Sequence, residues 1–202
     1  MDITAEMIKK LRAETGAGVL DCRKALQDAN GDYQKALVWL QEKGMATAAN
    51  RSDRSASNGI VEIYSHGGGR VGVMVEVNCE TDFVARSEQF RSLAHEIALQ
   101  VAASSPRYVR ENDIPALELE KETEKVRARG KEEGKSAAVI DKMLEGTLNQ
   151  FKDEIVLLRQ PYIRDETTTV GNLIMQNVAA IGENVVVRRF QRWEVGESKA
   201  QT

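Results

Sequence analysis

Val71-Gly72-Val73-Met74-Val75-Glu76-Val77-Asn78-Cys79-Glu80-Thr81-Asp82-Phe83-Val84-Ala85-Arg86 decides how this chain folds. Side chains of a strand alternate between its two faces. Val71, Val73, Val75 and Val77 therefore share one side and predict a strand with one buried face. The alternation stops at Asn78, and Thr81, Asp82, Phe83 and Val84 follow where the strand hands over to a helix. This turn supports two readings. In one, Thr81 or Asp82 caps the next helix and Phe83 anchors in the core. In the other, a rigid strand end holds Asp82 and Phe83 outward, against another molecule.

Upstream, residues 59–65 form a second strand, joined to 70–78 by the hairpin turn His66-Gly67-Gly68-Gly69. His66 is read as a surface residue at the tip. The glycines lack a following Lys-Ser/Thr and join two strands instead of opening a helix, so the turn is a better reading than a phosphate loop. Downstream, Phe90, Leu93, Ala94, Ile97, Ala98 and Val101 line one face of a helix over 87–104. Asp113-Ile114-Pro115 opens a charge-rich, solvated helix to about residue 130. A long stripe at helical spacing runs through Ala137, Ile140, Leu144, Leu148, Phe151 and Ile155 and is stopped by Gln160-Pro161. Val170, Leu173, Ile174, Val178 and Ile181 mark one more helix, and Gly182-Glu183-Asn184 turns into a last strand over 185–195. Strand, strand, helices, strand predicts an α+β core over 59–196: a small three-stranded antiparallel sheet covered by helices. Residues 197–202 are read as a tail.

The first 44 residues predict a three-helix bundle. Ile3, Met7, Ile8 and Leu11 recur at helical spacing, Gly16-Ala17-Gly18 breaks the first helix, and Asp32 caps the third, with Gly44 placed to end it. So small a bundle has a thin core and is expected to offer apolar surface to a partner. Gly16-Ala17-Gly18-Val19-Leu20 is either a plain inter-helix turn or an exposed apolar docking edge. Residues 45–58, rich in Ala, Ser and Arg, are read as the linker between bundle and core.

Composition narrows the function. With 29% charged residues and a formal net charge of -3, the chain reads as folded and soluble, without the basic excess of most nucleic-acid binders. Arg188, Arg189 and Arg192 form the best basic cluster, and they sit in a strand-like run, so direct nucleic-acid binding is not expected. Cys22 and Cys79 belong to no C-x-x-C or Cys/His group, which points to a reducing compartment. The first residues lack the pattern of a signal peptide, and no apolar run approaches the roughly 20 residues needed to span a bilayer. A cytoplasmic location without membrane contact is expected. The two histidines, His66 and His95, lack metal-ligand spacing, and no nucleophile, base or cofactor set can be named, so the chain does not read as an enzyme.

Two segments carry a family resemblance. Leu11-Arg12-Ala13-Glu14-Thr15-Gly16-Ala17-Gly18, followed by Asp21-Cys22-Arg23-Lys24-Ala25-Leu26, resembles the N-terminal signature of the elongation factor Ts family. Glu76-Val77-Asn78-Cys79-Glu80-Thr81-Asp82-Phe83-Val84-Ala85 resembles its second signature. Glu145-Gly146, Gln160-Pro161 and Ile181-Gly182-Glu183-Asn184 continue the likeness in order, over nearly the whole chain.

The resemblance implies a guanine-nucleotide exchange factor for elongation factor Tu. It implies a ubiquitin-associated-like bundle that docks on the partner's GTPase domain, with Leu11, Val19, Leu20 and Arg23 as the carried-over contacts. It implies that Thr81, Asp82, Phe83 and Val84 intrude beside the partner's magnesium site. Val19 and Leu20 stand where many relatives have two methionines, which keeps apolar character but not the flexible thioether. The single hairpin unit is similar to short members of the family, which pair as homodimers. His66 would then take the role of a second hairpin, supplied by the other subunit. Gln191 stands near the place of an inter-subunit cysteine in some short members, so a noncovalent homodimer is expected. A rival from another class, a ribosome- or RNA-binding module, sits poorly with the balanced charge.

Overall fold

Thr4 starts the first helix by accepting a hydrogen bond from the Met7 N–H at 3.2 Å. The computed structural model describes residues 3–197. Helix α1 (Ala5–Thr15) ends at Gly16, whose φ of 67° is a left-handed cap that glycine adopts without strain. Helix α2 (Val19–Asp28) follows, and α3 (Tyr33–Ala49) opens on Asp32, whose carboxylate accepts from the Lys35 N–H. The three pack around Leu11, Cys22, Leu26, Ala36 and Leu40, all buried.

Strand β1 (Asn58–His66) pairs antiparallel with β2 (Val71–Cys79). A single turn, α4 (Asp82–Ala85), leads into α5 (Glu88–Ser104), which Ser87 caps by accepting from the Phe90 N–H. Helices α6 (Ala116–Glu132) and α7 (Ala137–Ile155) form a helical hairpin in which Gly130 faces Ile140 so closely that an added Cβ would lie 2.7 Å from its side chain. Two short strands, β3 (Pro161–Tyr162) and β4 (Asp165–Thr169), form a small second sheet. The sequence reading did not include it, because Asp165-Glu166-Thr167-Thr168-Thr169 has no apolar alternation. Helix α8 (Val170–Ile181), capped by Thr169, then leads to β5 (Val185–Glu194).

The main sheet has the order β1-β2-β5 and is antiparallel throughout. Val73, Val75 and Val77 point inward, with the Phe90, Ile97 and Val101 face of α5 and Val170 and Val178 of α8 in the same core. The fold is α+β, as the strand-helix order predicts. Among the described residues nothing covers the opposite face of the sheet: Val61, Ile63, Met74 and Trp193 are exposed there.

The expected end of the third helix at Gly44 is not found. Helix α3 runs on to Ala49, and Ala48 is buried in the core beneath the sheet. The reason is packing. A Cβ on Gly44 would stand 3.2 Å from the Ala179 Cβ, so the glycine lets α3 lie close along α8 instead of breaking. Gly16 makes a similar approach to Ala180, and the Arg51 guanidinium donates to the Val178 carbonyl at 3.3 Å. The bundle is thus seated on α8. Among the described residues no helix is long and apolar enough to cross a membrane. The tail expected over 197–202 lies, apart from Glu197, outside the described residues.

Candidate functional site

At the end of β2 the chain turns sharply. The buried Cys79 thiol donates to the Thr81 carbonyl at 3.1 Å, and Thr81 Oγ1 accepts from the Val84 N–H at 3.3 Å. Thr81 is therefore the cap of α4, as one of the two readings has it. The other half of that reading fails, because Phe83 is 82% exposed and no core anchor. A one-turn helix has one inward side, which Ala85 and the half-buried Val84 occupy. Asp82 and Phe83 are left on the solvent side. Among the described residues the Asp82 carboxylate pairs with Arg86, at 3.0 Å. Burial, then the nearby Glu183 carboxylate, pushes the Cys79 thiol up from its ordinary value, so it stays protonated behind the turn.

The turn is held from below by groups far away in sequence. Both carboxylate oxygens of Glu183 serve Thr81: one accepts from its N–H at 3.0 Å, the other from its hydroxyl at 2.7 Å. Next door, Glu80 accepts from the Asn184 N–H at 2.7 Å and lies 3.6 Å from Arg54. The buried Asn184 amide donates to the Ser52 and Arg54 carbonyls. Asn58 donates to the Glu80 carbonyl, and Asn78 to the Asn58 carbonyl. In the sequence Glu183-Asn184 reads as a turn and as part of a segment that resembles the family; the pairing with Thr81 spans 102 residues and leaves no periodic signal.

On the bundle, Leu20 is 80% and Val19 50% exposed, and Arg23 is exposed beside them on α2. Leu11 is a correction. It is 0% exposed, at the centre of the bundle core, so it supports α2 from behind and offers no side chain to a partner. The resemblance carried Leu11 over as a contact, whereas its helical spacing put it on the apolar face of α1, and that face is the inner one.

His66 ends β1, exposed, with Nδ1 3.0 Å from the Tyr64 hydroxyl. Tyr64 also meets His95 edge-on at 5.5 Å, and His95 Nδ1 lies 3.0 Å from Glu62. The structure does not bring His66 to the Thr81 turn. The nine residues of β2 separate them, roughly 30 Å at the rise of an antiparallel strand.

Among the described residues no group of three His, Cys, Asp or Glu side chains is placed to hold a metal ion. The arginines of the last strand are occupied. Arg188 donates to Asn78 and the Ala56 carbonyl, Arg189 pairs with Glu76 at 2.7 Å, and Arg192 pairs with Glu194 at 2.5 Å. What the chain presents is therefore apolar and shaped: a phenylalanine at a braced turn, an apolar helix start and a bare sheet face.

The family described as Elongation factor TS matches residues 30–197. The chain is 51% identical over 199 residues to an elongation factor Ts of Carboxydothermus hydrogenoformans, covering 98% of this chain and 92% of that one. It is 52% identical over 200 residues to that of Moorella thermoacetica, covering 99% and 98%. It is 53% identical over 195 residues to that of Caldanaerobacter subterraneus subsp. tengcongensis, covering 96% and 98%.

Proposed function

The chain belongs to the elongation factor Ts family of translation elongation factors, and from that premise we propose that it is a guanine-nucleotide exchange factor that speeds GDP release from elongation factor Tu. The observation that carries this reading is Phe83. A large aromatic ring that is 82% exposed beside a carboxylate, on a turn braced by hydrogen bonds, has no role in holding this chain together. Such a ring is suited to fill a pocket in another protein.

Val19, Leu20 and Arg23 dock the bundle on the GTPase domain. Phe83 then wedges between elements near the magnesium site, with Asp82, Thr81 and Val84 shaping the same turn. Magnesium bridges the nucleotide phosphates to the GTPase, so displacing its supporting groups weakens the nucleotide's hold. Exchange is a linkage effect: the factor binds the empty GTPase more tightly than the loaded one, and each ligand weakens the other. No bond is made or broken by this chain, and it works in the cytoplasm.

The uncovered sheet face is proposed to bind a second copy of the chain. Outward residues stack in cross-strand rows, Ile63-Met74-Gln191 and Val61-Glu76-Arg189, with Trp193 beyond. Gln191 in the middle row and the burial of both cysteines support a noncovalent pair. The roughly 30 Å between His66 and Thr81 suits a division of labour: one subunit supplies Asp82 and Phe83, the other His66. Release of labelled GDP from elongation factor Tu, with and without the chain, tests the reading. Acceleration supports it, and an unchanged rate at saturating chain removes it.

A further inference from the structure

We infer that Glu183 is a positioning residue for the exposed turn, and that it fixes where Asp82 and Phe83 stand relative to the bundle; this rests on the exchange-factor reading above. Helix α4 is four residues long, too short to hold a direction by its own hydrogen bonds. Its inward contacts are the small Ala85 and the half-buried Val84. Its far end is tied by the Ser87 hydroxyl, which donates to the Val84 carbonyl at 2.8 Å, and its near end is set at Thr81, the residue that caps it. Thr81 is gripped from outside α4 by the two oxygens of Glu183, at 3.0 and 2.7 Å, one on the backbone N–H and one on the hydroxyl. Two bonds to one residue fix orientation as well as position. The neighbouring pair repeats the connection in reverse, with Glu80 accepting from the Asn184 N–H.

Glu183 stands at the end of α8, and α8 is also the seat of the bundle. Gly16 packs on Ala180 and Gly44 on Ala179, three and four residues before Glu183. One helix end thus meets both groups proposed to touch the partner: the bundle on its side and the Asp82-Phe83 turn beyond its last residue. Thr81 is itself exposed, so water replaces Glu183 when the carboxylate is removed. The fold then persists while the turn gains freedom, and a wedge that arrives displaced loses rate out of proportion to binding.

The test measures labelled-GDP release from elongation factor Tu as a function of the concentration of parent, Glu183→Ala, Glu183→Gln and Phe83→Ala chains. Glu183→Ala is expected to lower the maximal release rate about tenfold while leaving the half-saturating concentration within about twofold, because the bundle still docks. Glu183→Gln, whose amide accepts from the Thr81 N–H and donates to its hydroxyl, is expected to restore most of the rate. A Glu183→Ala chain as fast as the parent overturns the inference. So does a Glu183→Gln chain as slow as Glu183→Ala, or a loss matched by a fall in the folded fraction measured by thermal melting. Phe83→Ala separates the two levels. If it releases GDP at the parent rate the exchange reading of the turn fails; if it is slow and Glu183→Ala is not, only the positioning role fails.

Discussion

The Asp82 carboxylate lies 3.0 Å from the Arg86 guanidinium, one helical turn on, and the two side chains are 70% and 80% exposed. An exposed pair at this spacing contributes only about 0.3–0.5 kcal/mol. Arg86 is therefore a weak partner that shields Asp82 without locking it. Arg86→Ala is expected to shift urea unfolding by less than about 0.5 kcal/mol and to change GDP release no more than about twofold. A larger loss of rate with unchanged stability would assign Arg86 a contact of its own on the partner.

Gly16 joins bundle to core at a point with no room. Its φ is 67°, and an added Cβ would stand 2.9 Å from the Ala180 backbone. The left-handed backbone costs an alanine about 1–2 kcal/mol, and the overpacking adds about 1–3 kcal/mol. Gly16→Ala is expected to lower the melting temperature by several degrees and to speed amide exchange in α1. Amide exchange as slow as in the parent would mean that the junction yields more easily than its geometry suggests.

The bare sheet face makes a prediction about mass. Ile63→Asp or Trp193→Asp places a charge where the proposed second copy packs, on side chains that are 71% and 55% exposed in the single chain. Light scattering should give twice 22.4 kDa for the parent and 22.4 kDa for the variants, with circular dichroism unchanged. A parent that stays at 22.4 kDa across concentration removes the two-subunit division of Phe83 and His66.

Acid sensitivity has a local source at Glu111. The Lys152 amine at 2.9 Å, then the Arg159 guanidinium at 2.5 Å, hold its carboxyl below the ordinary value of 4.5. A carboxyl lowered by folding contributes stability above its unfolded value and loses that contribution as pH falls through the folded value. The group is partly exposed, so screening limits the contribution to about 1 kcal/mol or less. Glu111→Gln should therefore unfold more easily than the parent at pH 7, and the gap should close in urea melts below pH 4.5. A gap that persists in acid would point to packing instead of charge.

How much of this was legible in the sequence depends on the range of each interaction. Val73, Val75 and Val77 announced their strand, and Phe90, Ile97 and Val101 their helix, because burial on one face imposes a period that sequence displays. Leu11 shows the limit of a likeness: its helical spacing matches the buried inner face it occupies, while the family resemblance alone had made it a partner contact. Gly44 read as a helix end because glycine commonly caps a helix C-terminus; Ala179, 135 positions later, shows that it serves close packing. Thr81 and Asp82 were the two cap candidates, since a capping bond is local, and Thr81 is the one that caps. Glu183 was legible as part of a turn and of a family-like segment, but not as a brace for Thr81, because its bonds cross the fold and depend on where α8 ends.

The most direct test of the account is the GDP-release rate of the Phe83→Ala chain, read beside its stability. Phe83 is 82% exposed, so its loss should change unfolding free energy by no more than about 0.5 kcal/mol. As the aromatic anchor of a contact it should cost about 2 kcal/mol or more there, a slowing of more than tenfold. A chain that folds as well as the parent and releases GDP from elongation factor Tu more than tenfold more slowly is the predicted result. A chain that folds as well and exchanges as fast would contradict it.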